Sequence, residues 1–340
     1  MAYSVTFLLQ KSVGALLNDL KRYEEAETSF RKAIELDPLD AIIYYNFGNF
    51  FDDLNRYEEA EASFRKTIEL NPSFTSAYGN LGILLVSLKQ YEEAEASYRK
   101  VIELNPLDAI AYGNLGSLLS GLKRYKEAEA SYRKAIELNP SLVEAYSELG
   151  NLLKDLKRYE EAEASYCKAI KSNPSLAEAY YNLGNLLSDE NLKRYEEAEA
   201  AYRKAIELNP SDIDAYNSLA LLLGETHKEK EALVVLEKLI EIAPEDFDTY
   251  LVIASISKIL GEVIEPSFIE KAYLYIPKDD FYNKACLESV CDNFDFAFEY
   301  LQHATQKEGF DPACAWEDPD LQWIRDDPRF VEIVGPKPEK

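Results

Sequence analysis

The sequence predicts an all-α protein, a solenoid of about nine stacked helical hairpins with short helices capping its C-terminal end. Three observations predict it. One sixteen-residue stretch, YEEAEASYRKVIELNP from Tyr91, recurs with small edits from Tyr23, Tyr57, Tyr125, Tyr159 and Tyr195, so the six copies step by 34, 34, 34, 34 and 36 residues. A fixed period of this length marks a repeat architecture. Each period holds two apolar stripes at helical spacing, as in Tyr112, Leu115, Leu118, Leu119 and Leu122, then Ala128, Tyr132, Ala135, Ile136 and Leu138. A proline such as Pro140 ends each second helix, because it has no amide hydrogen to donate and disfavours helix in the residue before it.

In chain order, residues 1–40 hold a worn first repeat that starts near Phe7. The opening carries an apolar run, Val5 to Leu9, but no basic residue precedes it and Lys11 interrupts it, so a first helix is expected rather than an export signal. Six clear repeats fill 41–246. The two extra residues near Asp189 to Asn191 fall in a turn, which absorbs them at little cost. Two divergent repeats occupy 247–312: the first keeps Tyr250, Ala254, Gly261, Ala272 and Pro277, and places Pro266 in a first helical turn, where proline is tolerated. The second sets Phe281, Ala285, Phe294, Ala297, Leu301 and Ala304 in the expected columns. In the tail, 313–340, Asp318-Pro319 and Asp327-Pro328 each start a short helix, and Trp323, Ile324, Phe330 and Ile333 are expected to cover the end of the stack.

Small residues mark where helices cross. Gly48, Gly82, Gly116, Gly150 and Gly184 on first helices, with Ala60, Ala94, Ala128, Ala162 and Ala198 on second ones, remove bulk where two backbones approach. Aromatics fill the gaps alongside, with Phe64, Tyr98, Tyr132, Tyr166 and Tyr202 on second helices. Each hairpin then has apolar surface that only the next hairpin covers.

This pattern resembles the tetratricopeptide repeat from about Phe7 to Pro312, most specifically between Ala41 and Asp212. The resemblance implies a right-handed superhelix whose concave surface is lined by the first helix of each pair. The chain departs from the family at the turn inside each pair: a glycine is usual there, and this sequence has Lys21, Asn55, Lys89, Lys123, Lys157 and Lys193. A left-handed backbone at that point costs each lysine roughly 1 kcal/mol.

Length alone allows two ordinary domains, but the repetition argues for one continuous array. With 47% hydrophobic residues, 29% charged, 13 Gly and 14 Pro, the chain is rich enough to bury a core. A formal charge of -25, from 62 acidic against 37 basic residues, argues against nucleic acid as a partner. No apolar run reaches membrane-spanning length, so no membrane partner is expected. Cys167, Cys286, Cys291 and Cys314 lack metal or disulfide-framework spacing and read as reduced thiols of a cytoplasmic protein.

Chemistry is sparse. The two histidines, His227 and His303, read as surface residues, and no catalytic, cofactor or metal motif is present. Glutamate pairs such as Glu92-Glu93 recur at second-helix N-termini, where they complement the helix dipole. Glu61 with Arg65, Glu95 with Arg99, Glu129 with Arg133 and Glu199 with Arg203 have the favourable i to i+4 order, worth about 0.2–0.5 kcal/mol each. The Lys-Arg pairs Lys21-Arg22, Lys123-Arg124, Lys157-Arg158 and Lys193-Arg194 read as charges capping first-helix C-termini, with a phosphate-binding stripe as the rival reading.

What remains for recognition is the first-helix surface. One column holds Asn46, Asn80, Asn114 and Asn182, with Glu148 and Ser218 substituted, and a second holds Asn49, Asn151 and Asn185. A side-chain amide donates and accepts at once, which suits an extended peptide backbone, and Tyr45 and Tyr181 add flat contact surface. The first column looks like the asparagine ladder in the repeats of O-linked N-acetylglucosamine transferases, although this chain has no room for their catalytic domains. The competing reading is local hydrogen bonding within each repeat. Family members that grip acidic chaperone tails use inner-surface lysine and arginine, whereas here that surface carries Asp52, Asp53, Glu144, Glu148, Asp155, Glu178, Asp189 and Asp214 against few bases such as Lys11 and Lys154. An acidic tail is therefore disfavoured and a neutral or basic segment favoured.

The expected function is non-enzymatic binding of a protein or peptide, as a scaffold or adaptor without cofactor. The alternatives are a regulatory or assembly subunit of an enzyme, with activity in the divergent region that holds Cys286, Cys291 and His303, and self-association through an uncapped end.

Overall fold

The computed structural model describes residues 21–307 and 309–338, so the expected helix from Phe7 and the base Lys11 lie outside the described residues. Among the described residues there are nineteen α-helices, one 3-10 turn and no strand. None of those helices is long and apolar enough to cross a membrane. The chain forms two compact units, one ending at Pro174 and one beginning at Ser175.

In the first unit α1 (Tyr23–Leu36) packs on α2 (Ala41–Asp53), and four hairpins follow: α2 with α3 (Tyr57–Leu70), α4 (Thr75–Ser87) with α5 (Tyr91–Leu104), α6 (Ala109–Gly121) with α7 (Tyr125–Leu138), and α8 (Val143–Asp155) with α9 (Tyr159–Ser172). Each second helix also packs on the next first helix, and α4, α6 and α8 touch in sequence, so the first helices share one face.

Local chemistry explains where the helices start and stop. Asp40 and Asp108 accept amides of the first turns of α2 and α6, whereas Phe74 and Leu142 at the same point of α4 and α8 make no side-chain cap. At the other end, Asn71, Asn105 and Asn139 accept the amide two residues on, folding the Asn-Pro step back toward the next hairpin. The turn residues Lys21, Asn55, Lys89, Lys123, Lys157 and Lys193 all take the left-handed conformation, with φ between 49° and 60°, as do His227 and Asp292. Gly261 occupies the matching turn of a divergent hairpin at φ 69°.

The small-residue columns act differently from the expectation that backbones meet there. Ala60, Ala94, Ala128 and Ala162 are fully buried at the crossing, but the glycines are covered by the second-helix rings themselves. A Cβ built on Gly48, Gly82 or Gly150 would stand 2.5 to 2.6 Å from Phe64, Tyr98 or Tyr166. The glycine and aromatic columns are therefore two halves of one contact.

The charged columns also do more than sequence spacing indicates. Beside its i to i+4 bond with Arg133, Glu129 accepts Arg158 of the next repeat at 2.7 Å, and Arg133 in turn reaches Glu161 at 3.1 Å. Glu95 is held in the same way by Arg99 and Arg124, and Glu27 by Arg31 and Arg56. Arg124 and Arg158, expected to cap first-helix ends, instead bridge consecutive second helices, whereas Arg22 pairs with Glu25 of its own second helix. The bonds from Arg124 and Arg158 keep the Glu95 and Glu129 carboxyls below their ordinary range.

The second unit continues with α10 (Ala177–Leu187) and α11 (Tyr195–Leu208), α12 (Ile213–Glu225) and α13 (Glu229–Ile242), α14 (Phe247–Leu260) and α15 (Pro266–Tyr275), and α16 (Phe281–Val290) and α17 (Phe294–Ala304). One apolar core runs from Leu187 to Val334. It is closed by α18 (Pro312–Glu317), the 3-10 turn at Pro319–Leu321 and α19 (Pro328–Val334), with Leu321, Ile324 and Phe330 fully buried. Trp323 lies on the Lys258 ammonium, 4.5 Å from ring centre to Nζ, and Lys258 also reaches Asp292 at 2.7 Å.

Candidate functional site

The first-helix face places the predicted residues as follows. In the first unit Tyr45, Asn46 and Asn49 sit on α2, Asn80 on α4, Asn114 on α6 and Asn151 on α8; in the second, Tyr181, Asn182 and Asn185 sit on α10. All are partly buried.

The second asparagine column is used by the fold. Tyr166 donates its hydroxyl to Asn151 Oδ1 at 2.7 Å and Tyr202 donates to Asn185 Oδ1 at 2.7 Å; Ser117, in the same register, accepts from Tyr132 at 3.2 Å. A ring pressed against a helix brings its hydroxyl into a half-buried place where an acceptor is needed. Asn49 faces Phe64, which has no hydroxyl, and its carbonyl oxygen accepts from Asn80 Nδ2 at 2.8 Å instead. The sequence signal for this role is a polar residue fifteen positions before a second-helix tyrosine, or seventeen where the two-residue insertion intervenes.

The first column divides. Asn80 Nδ2 also donates to the Tyr45 hydroxyl at 3.2 Å, which joins Tyr45, Asn49 and Asn80 into one cluster. Asn46, Asn114 and Asn182 make no side-chain hydrogen bond among the described residues. Tyr45 and Tyr181 are less free than the sequence implies: each ring packs on the second-helix aromatic of its own hairpin, Phe64 and Tyr202, with centroids 6.1 Å apart in both cases.

Between α6 and α8 this face holds a cavity of about 330 Å³. Ile110, Gly113 and Asn114 line one wall, Glu144 and Glu148 the other, and the Tyr132 ring forms the floor. Burial raises the Tyr132 hydroxyl to about 12, with a smaller contribution from the Glu148 carboxylate. The phenol therefore stays protonated and donates.

The two cysteines of the divergent repeats are held as thiols. Cys286 is buried, and burial with the Asp318 carboxylate beside it pushes the thiol well up; Cys291 is raised by burial to about 11. Both shifts run against thiolate formation at neutral pH. His303 is exposed, with its ring 5.2 Å from Phe281. A larger cavity of about 550 Å³ opens nearby, beside Phe281 and Phe310, but its carboxylates are engaged: Asp279 by Lys307, Asp280 by Asn283 and Asp311 by the Ala313 amide.

Models of the tetratricopeptide repeat match residues 16–73 and 147–213, 75–141 and 108–175, and 201–234. No curated protein sequence matches. Among solved structures the chain is similar to YrrB, described as a TPR protein with an unusual peptide-binding site, at 30% identity and TM-score 0.44 over 56% of this chain and 96% of that one. It is similar to pilF of Pseudomonas aeruginosa at 20% identity and TM-score 0.54, over 64% of this chain and 98% of that one. It is similar to a chain of the APC/C hetero-tetramer Cut9-Hcn1 at 18% identity and TM-score 0.55, over 72% of this chain and 48% of that one. The last two likenesses are of fold.

Proposed function

Since the chain belongs to the tetratricopeptide repeat family, we propose that it is a non-enzymatic scaffold that holds a peptide or protein segment against the face lined by first helices. The observation that carries this reading is the pair of uncommitted amides on that face of the first unit, Asn46 and Asn114, while Asn151 in the neighbouring column is tied to Tyr166; within the second unit Asn182 and Asn185 divide in the same way. A peptide backbone offers each amide a carbonyl and an N–H. The likeness of this column to the ladder of O-linked N-acetylglucosamine transferases supports backbone recognition. Glu144 and Glu178 on the exposed side of α8 and α10 favour a neutral or basic segment, mainly by speeding encounter.

The test is titration of a capped ten-residue peptide library, some members cationic, against wild type and the Asn46→Ala, Asn114→Ala double variant. At least tenfold weaker binding by the variant is expected, with affinity for cationic members falling as salt rises. Equal binding by the double variant removes the asparagines from the reading.

A further inference from the structure

We propose that the cavity over Tyr132 is a specificity pocket for one cationic side chain, arginine or lysine, of the bound segment; this rests on the peptide-binding reading above. The cavity lies where one first-helix column, Tyr45, Gly79, Gly113, Ser147 and Tyr181, has a glycine. At the register of Tyr45 and Tyr181, whose rings lie on Phe64 and Tyr202, α6 has Gly113, so the matching ring Tyr132 has no such lid. Packing does not demand that glycine. A Cβ on Gly113 would meet nothing within 4 Å, whereas one on Gly116, three residues on, would collide with Tyr132. An interior helical glycine costs roughly 0.5–1 kcal/mol relative to alanine, so Gly113 carries a stability cost whose structural effect is the open space.

The lining suits a long stem with a cationic head. Ile110, 63% exposed, and Leu142 offer apolar wall to methylenes, and Tyr132 offers the floor. Glu144 and Glu148, one turn apart on α8, set two carboxylates on the same wall of the cavity. Asn114, on the opposite wall and uncommitted, is placed for the peptide backbone on either side of that residue. Position 144 continues a column that reads Ile42, Ser76, Ile110, Glu144 along this unit, so the face turns from apolar to acidic at this cavity. The preferred segment is accordingly cationic where it crosses α8.

The experiment uses the full chain and capped ten-residue peptides of Leu, Ser and Gly with one central position varied among Arg, Lys, citrulline and Glu. Arg and Lys peptides are expected to bind at least tenfold tighter than citrulline, and Glu weakest. The preference should disappear in Glu144→Gln with Glu148→Gln, and binding should be lost in Gly113→Leu, whose side chain fills the cavity while its helicity by circular dichroism is kept. Peptides that bind and are weakened by the asparagine double variant, yet do not distinguish Arg from citrulline or are indifferent to Gly113→Leu, overturn the pocket and leave the scaffold reading standing. No binding by any peptide overturns both.

Discussion

Gly116 and Tyr132 form one contact: a Cβ on Gly116 would stand 2.7 Å from two carbons of the Tyr132 ring. The contact survives the two-residue insertion, because Gly184 meets Tyr202 at 2.6 Å with the extra residues placed in the intervening turn. In the next hairpin both partners change together, to Ala220 and Leu236, both buried. A larger residue on the first helix goes with a smaller one on the second, as close packing requires.

Gly116→Ala is expected to destabilise by about 1–3 kcal/mol in urea denaturation, since the ring must move. Tyr132→Leu added to it should recover part of the loss. Gly79→Ala, on α4, has open space around the new methyl and should stabilise by about 0.5–1 kcal/mol. Equal effects at the two glycines would show that the ring contact does not limit stability.

The left-handed lysines carry strain that a better turn residue relieves. Lys123, at φ 59°, should tolerate Asn, which already occupies the same position as Asn55, with a gain of up to about 1 kcal/mol. Lys123→Val should lose about 1–2 kcal/mol, because a β-branched side chain fits that backbone worst. Denaturant midpoints of the two variants, compared with wild type, decide the order.

The ion-pair ladder has a gap at Gln90, which stands where Arg56, Arg124 and Arg158 stand in other repeats. Glu61 consequently pairs with Arg65 alone, at 2.7 Å. Gln90→Arg should add about 0.2–1 kcal/mol at low ionic strength and nothing near molar salt. A salt-independent gain would point to packing rather than charge.

Asp320 anchors the C-terminal cap to α14 through Ser255, and burial, with Asp318 and Asp248 adding repulsion, raises its carboxyl to about 6. The sign follows from linkage: an acid raised on folding contributes stability that is full below its unfolded value and is lost as pH rises through about 6. Glu95 and Glu129, lowered on folding, act in the opposite sense and only in more acidic solution. The cap should therefore resist denaturant better at pH 5 than at pH 7. The only two tryptophans, Trp316 and Trp323, lie in this region and report it by fluorescence. Asp320→Asn should abolish the difference; persistence of the difference in that variant would assign it to another group.

Much of this protein is written locally and repeatedly. The 34-residue period, the helix stops at Asn-Pro and the place of the lysine turn each depend on residues a few positions apart, so periodicity and backbone preference determine them before any tertiary contact forms. Packing partners were harder to read. Glycine and aromatic columns are both visible in the sequence, but only the fold lays one upon the other.

The division within the asparagines is set by tertiary contacts, although spacing to a second-helix tyrosine marks Asn151 and Asn185. Asn46 and Asn49 are three residues apart on one helix, with the same side chain and similar burial. Whether such an amide is consumed or left over depends on where a tyrosine hydroxyl from the second helix, or an amide from the next repeat, comes to rest. Local pattern is enough for a stack of helical hairpins with polar first-helix columns; which amides stay uncommitted follows from packing, because hydrogen-bond satisfaction depends on distances between helices.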